Sequence, residues 1–172
     1  MSKQYENDQA KHLYRCTSRD VMVYTCGYSG SNAFPQPDIL LTTTGANYAI
    51  ELKKRSVGTG ERVYEDKSDL EQLLACANDV TAAVLWYKFT NRRPALIQVW
   101  QNDEGTVSMD LPEAFDGHLT EKSIRFTKPD LDSYPSAHGT KDHFAALEEL
   151  GLEHDEQYDP SDRETWVKGD AI

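Results

Sequence analysis

Between residues 38 and 55 the chain reads DILLTTTGANYAIELKKR, two apolar runs separated by a short segment centred on Gly45. Runs so close in sequence pair most readily as an antiparallel hairpin. Side chains two apart on a strand share a face, and residues opposite each other in a hairpin lie within about 5.5 Å. Ile50 and Leu52 then point toward a core while Glu51 and Lys53 share the other face. Closing the hairpin around Gly45 sets Asp38 beside or diagonally next to Glu51.

Two carboxylates and an ammonium therefore converge at one end of the hairpin. Carboxylates so close repel each other unless something positive sits between them, and oxygen ligands of this kind suit Mg²⁺, for which Mn²⁺ can stand in. Asp38, Glu51 and the backbone carbonyl of Leu52 are the expected ligands. Such an ion polarises a phosphodiester and makes bound water more acidic. Lys53 can orient or help deprotonate the attacking water, and it can stabilise the extra negative charge of the transition state.

The rest of the chain supplies a frame for this hairpin. Residues 4–16 carry Tyr5, Ala10, Leu13 and Cys16 at helical spacing. VMVYTC (21–26) is expected as a strand, followed by the Gly/Ser-rich loop GYSGSNAFPQ (27–36). After a polar, flexible stretch from Ser56 to Lys67, Ser68 and Glu71 form a capping box that starts a helix, with Leu70, Leu73, Leu74 and Ala77 toward the sheet. TAAVLWYKF (81–89) and PALIQVW (94–100) are two further strands. The resulting order, α-β-β-β-α-β-β, indicates an α/β fold with helices flanking a mixed central sheet.

Charge divides the chain at about the same place as this pattern does. The net charge is −11, yet residues 1–100 hold 12 Lys/Arg against 11 Asp/Glu, and residues 101–172 hold 6 against 18. The expected organisation is a core over 1–101 and an acidic C-terminal extension over 102–172. That extension shows a strand at Ser123–Thr127 and a helix near 141–151. An acidic surface beside a near-neutral half suits a solvated exterior and also a salt-rich cytoplasm. Cys16, Cys26 and Cys76 are odd in number and form no Cys-x-x-Cys pair, so they are expected reduced. The polar start MSKQYENDQAKH has no apolar run that could serve as a signal peptide, and no stretch approaches a membrane span. An intracellular, cytoplasmic protein is expected. No phosphate-cradling Gly-x-x-x-x-Gly-Lys loop appears, so no nucleotide cofactor is expected, and the five histidines form no helical pair at metal-ligand spacing.

Pro37-Asp38 followed by Glu51-Leu52-Lys53 at the end of the next apolar strand resembles the PD-(D/E)XK nuclease pattern, and within it the archaeal Holliday-junction resolvases. The resemblance runs over about residues 5–100. It takes in the Tyr5-Glu6 pair, the loop GYSGS, the helix DLEQLLACAND and the strand VLWYKF. It implies a restriction-endonuclease-like fold and a homodimer whose two sites nick opposing strands of a four-way DNA junction. By similarity Glu6 is the helix-borne acid that completes the metal site, with Asp8 competing for that place. Ser29 or Ser31 is then the loop serine that approaches the cleaved strand. The sequence departs from the pattern at Tyr24, where that family commonly has an arginine, and in the length of the loop.

A Glu-x-Lys triplet recurs by chance in an acidic chain. Glu65-Asp66-Lys67 also fits the triplet and Pro129-Asp130 also fits the first half, but neither is expected on an apolar strand beside a hairpin partner. Among the cationic side chains, Lys54 and Arg55 adjoin the motif and are the expected phosphate contacts to branched or duplex DNA. Two rival functions fit the same residues. One is a restriction-like or repair nuclease cutting duplexes or flaps, and the other is a non-catalytic module whose acidic part binds a partner.

Overall fold

A computed structural model describes residues 3–18, 20–26, 34–55, 62–89, 95–101, 103, 107–110, 116–119, 123–127 and 147–152 of the chain. Helix α1 (Lys3–Cys16) leads into strands β1 (Met22–Thr25), β2 (Ile39–Thr42), β3 (Asn47–Arg55) and β4 (Arg62–Asp66). Helix α2 (Lys67–Leu74) follows, then β5 (Thr81–Phe89), β6 (Ala95–Gln101), β7 (Val107–Asp110), β8 (Asp116–Leu119) and β9 (Ser123–Thr127). Six strands form one mixed sheet in the order β1-β2-β3-β5-β6-β7, and β4, β9 and β8 form a second, antiparallel one. This is the α/β architecture expected from the sequence, with α2 in the crossover between the parallel neighbours β3 and β5.

The hairpin forms as its sequence dictates. β2 pairs antiparallel with β3, Ile39 opposite Ile50 and Leu41 opposite Tyr48. The turn between them is braced by Thr43, whose hydroxyl donates to the Ala46 carbonyl at 2.6 Å and accepts from the Ala46 N–H at 2.8 Å. β5 is central, between β3 and β6, and Ala83 through Tyr87 are all buried. A strand covered on both faces reads as an unbroken apolar run, which explains AAVLWY.

Each face of the large sheet has its own core. On one, Ile39, Leu41, Ile50, Leu52, Val84 and Trp86 pack with Ala10, Leu13 and Cys16 of α1 and with Leu147. By strand alternation the other face carries Ala49, Leu85, Tyr87, Ile97 and Val99, and α2 contributes its buried Leu70 and Leu73. Glu51 and Lys53 fall on this second face.

Two local expectations differ from the structure. The stretch Ser56–Lys67, expected to be polar and irregular, contains β4 at 62–66, so the element order gains a strand before α2. Helix α2 starts at Lys67 rather than after a Ser68 cap, and its N-cap Asp66 makes no side-chain capping bond. The β4–β9 pairing extends to Asp66 and fixes its extended backbone (φ −66°, ψ 135°), so the helix begins directly where the ladder stops. The helix expected near 141–151 falls largely outside the described residues, of which 147–149 are helical.

Chain beyond residue 101 contributes β7 to the large sheet, β9 and β8 to the small one and Leu147 to the core; the strand expected at Ser123–Thr127 is β9. The Tyr48 hydroxyl donates to the Leu150 carbonyl at 3.0 Å, tying β3 to the same segment. Among the described residues no helix is long and apolar enough to cross a membrane.

Candidate functional site

The register that sets Ile39 opposite Ile50 carries Asp38 opposite Glu51, one step beyond the ladder. Asp38 is 9% exposed, and its Oδ2 accepts the Leu52 N–H at 2.8 Å, so its carboxylate is fastened to the main chain of the strand that bears Glu51 and Lys53. Its own carbonyl accepts the Cys26 N–H at 3.1 Å, which extends the β1–β2 pairing and holds the residue from the other side. The two carboxyls and the lysine deduced from the hairpin thus come together at the C-terminal half of β3.

Lys53 lies between two acids. Its Nζ is 3.5 Å from Glu51 Oε1 and 3.6 Å from Glu65 Oε2. Glu65 was set aside in the sequence because its triplet lacks an apolar strand and a nearby partner. It lies on β4, is 4% exposed, and reaches Lys53 of β3 from the second sheet. No local signal marks it, since RVYED is short and mixes apolar and charged positions.

Burial and mutual repulsion disturb these carboxyls. Glu51 is pushed up from the ordinary glutamate value of 4.5 to about 7, first by burial, then by the charge of Asp38, with Lys53 opposing. Asp38 is raised by burial, against the Leu52 hydrogen bond and Lys53, which stabilise its charge. Glu6 on α1 is also raised, by burial and then by the charge of Asp38, which puts this helix acid in electrostatic contact with the site. Asp8, its rival from the sequence, instead accepts a hydrogen bond from Gln4 Nε2 at 2.8 Å. The thiols of Cys26 and Cys76 border the same place: burial raises both, followed by Asp38 for the first and by Cys26 and Glu51 for the second.

Of the other expected residues, Lys54 is exposed on β3 with its ammonium 5.4 Å from the centroid of the Tyr5 ring, a cation–π distance. Arg55 ends β3, and its side chain, like Ser29 and Ser31, lies outside the described residues.

Among the described residues no three His, Cys, Asp or Glu side chains gather closely enough to make a complete metal cage. The donor set still fits Mg²⁺. That ion keeps several waters and takes one or two carboxylates, and here two desolvated carboxyls lie where a cation would relieve both. Asp38, Glu51 and the Leu52 carbonyl would hold it, with Glu6 at the margin.

Glu51 also sets a sign for pH. Its folded-state pKa is raised, so its contribution to stability is full below the unfolded value of 4.5 and is lost as pH rises through about 7. The loss amounts to at most about 3 kcal/mol. In EDTA the melting temperature should fall between pH 5 and 8. The fall should be shallower in Glu51→Gln and in wild type with millimolar Mg²⁺; a melting temperature that rises over this range in EDTA would contradict the site.

No protein-family model matches the sequence and no curated protein does so significantly. The fold, a mixed sheet with helices on its faces, is of the α/β class found in a resolving nuclease. Among solved structures the fold is similar to that of Hjc, a Holliday junction resolvase from the archaeal hyperthermophile Archaeoglobus fulgidus, determined at 1.6 Å resolution. It superimposes with a TM-score of 0.50 and 20% sequence identity, over 78% of this chain and 92% of that one.

Proposed function

We propose that this chain is a Mg²⁺-dependent, structure-selective DNA endonuclease that resolves four-way junctions, acting as a cytoplasmic homodimer. The observation that carries the reading is the convergence of Asp38, Glu51 and Lys53 on one strand end, in a fold shared with a Holliday junction resolvase.

When bound, Mg²⁺ would polarise the scissile phosphodiester and favour loss of a proton from water. The residues of the chain do the rest. Asp38, its rotamer fixed by the Leu52 N–H, would hold the cation with its other oxygen. Glu51 would be a ligand only once deprotonated, so affinity for the ion should rise through neutral pH. Lys53, anchored by carboxylates, directs its ammonium toward the phosphate, where it offsets the charge that builds up on the oxygens. Lys54 and Arg55, one and two positions further along β3, would meet the backbone of the bound arm. Ser29 or Ser31 would approach the cleaved strand from the loop after β1.

The test is cleavage of an end-labelled four-way junction and a matched linear duplex, with Mg²⁺ or EDTA, from low to molar KCl. Paired nicks in the junction alone, dependent on metal, are expected. Equal cutting of the duplex would keep a nuclease and discard junction selectivity in favour of a restriction-like or repair role. Failure to cut either substrate at any salt, by folded protein, would leave an acidic binding module.

A further inference from the structure

The ion pair between Lys53 and Glu65 is not accounted for by the motif, which needs only Asp38, Glu51 and Lys53. It joins strands of different sheets, β3 and β4, and its acid is 4% exposed. Stability does not explain it. Taking a carboxylate out of water is costly, and a well-packed apolar side chain usually serves a core as well or better. β4 brings a charge to a place where the large sheet already holds a charge cluster largely shielded from solvent.

Lys53 has nearly equal claims from two acids, at 3.5 Å and 3.6 Å, but only Glu51 belongs to the expected metal ligands. Once Glu51 turns to a cation, its hold on the ammonium weakens and the positive ion repels Lys53. A flexible four-carbon stem would then swing away unless another anion kept it. We propose that Glu65 is a positioning residue for the phosphodiester cleavage proposed above. It holds the Lys53 ammonium over the reacting phosphate while Glu51 is engaged by the metal. The inference rests on that functional reading for its catalytic consequence, and on the Lys53–Glu65 contact for its structural one. A buried counter-ion on β4 also makes lysine geometry depend on β9 and β8, the strands that hold β4 in place.

Glu65→Gln keeps shape and one accepting oxygen but removes the charge. At saturating Mg²⁺ and junction DNA, its single-turnover rate should fall about 10- to 100-fold, the scale of a misplaced catalytic group. Its affinity for DNA should stay within about 2-fold, since the buried acid touches no DNA. A purely structural role would lower the rate equally in any background. Positioning instead predicts that adding Glu65→Gln to Lys53→Ala changes the residual rate by less than about 2-fold. A second measurement reads the contact without catalysis: side-chain NMR of the Lys53 ε-methylene and ammonium, in wild type and Glu65→Gln, with and without Mg²⁺. Lys53 should remain ordered in wild type with Mg²⁺ and become mobile in the variant only when Mg²⁺ is present. Mobile Lys53 in Mg²⁺-loaded wild type, an unchanged rate in Glu65→Gln, or an equal loss in the Lys53→Ala background would overturn the proposal. If wild type cuts no DNA but the NMR contrast holds, the cleavage reading fails and the positioning of Lys53 by Glu65 stands.

Discussion

Asp38→Asn is expected to leave the protein folded while lowering Mg²⁺-dependent DNA cleavage by at least about 100-fold. The amide keeps an oxygen that can accept the Leu52 N–H, a bond of 2.8 Å in the native chain, so the geometry of the hairpin end survives. What is lost is the charge. Burial raises the Asp38 carboxyl, which means that the fold pays to keep it ionised, and a neutral amide relieves that cost. The melting temperature of the variant at pH 8 in EDTA should therefore match or exceed that of wild type. Calorimetric titration should find Mg²⁺ affinity reduced in parallel with the single-turnover rate. A variant that cuts at the native rate would remove Asp38 from the centre altogether.

Leu147→Ala carries the largest expected effect on stability. The side chain is 0% exposed and belongs to the cluster formed by Leu13, Ile39, Leu41, Ile50, Leu52 and Trp86. Truncating a buried leucine removes its transfer free energy and leaves a cavity, together worth about 2–5 kcal/mol. For a chain of this size the melting temperature should drop by about 5–15 °C. The denaturant slope should be unchanged, because the same surface is exposed on unfolding. A loss below about 0.5 kcal/mol would mean that Leu147 is not part of the core behind β3.

These two residues mark how far the sequence could be read. Asp38 and Glu51 were legible because local rules sufficed: alternation assigns faces, a short turn sets register, and both acids lie within one hairpin. β5 was legible for a similar reason, since a strand buried on both faces has no polar positions to blur it. Glu65 was not. Its strand is short and mostly polar, and its partner β9 begins nearly 60 residues further along, so no nearby signal distinguishes it from a loop. The start of α2 was misplaced because a strand ending at Asp66, rather than a serine cap, decides where the helix begins. Leu147 lies in the stretch expected as a helix near 141–151, but no local pattern says that it packs behind β3. The choice between Glu6 and Asp8 depended on which face of α1 turns toward Asp38, and that is set by the packing of Ala10 and Leu13 rather than by either acid.

The bond from Tyr48 to Leu150 spans 102 positions of the chain. A polypeptide leaves the ribosome at about 5–20 residues per second, so the strand carrying Glu51 is made roughly 5–20 s before the segment that closes the core behind it. During that interval the hairpin has neither Leu147 against its apolar face nor β9 beside β4. Contacts this distant also slow folding, because the loop must close before they form. A chain cut short before residue 123 would carry Asp38, Glu51 and Lys53 without β9 beside β4 or Leu147 behind β3, so order at this strand end depends on sequence made long after it.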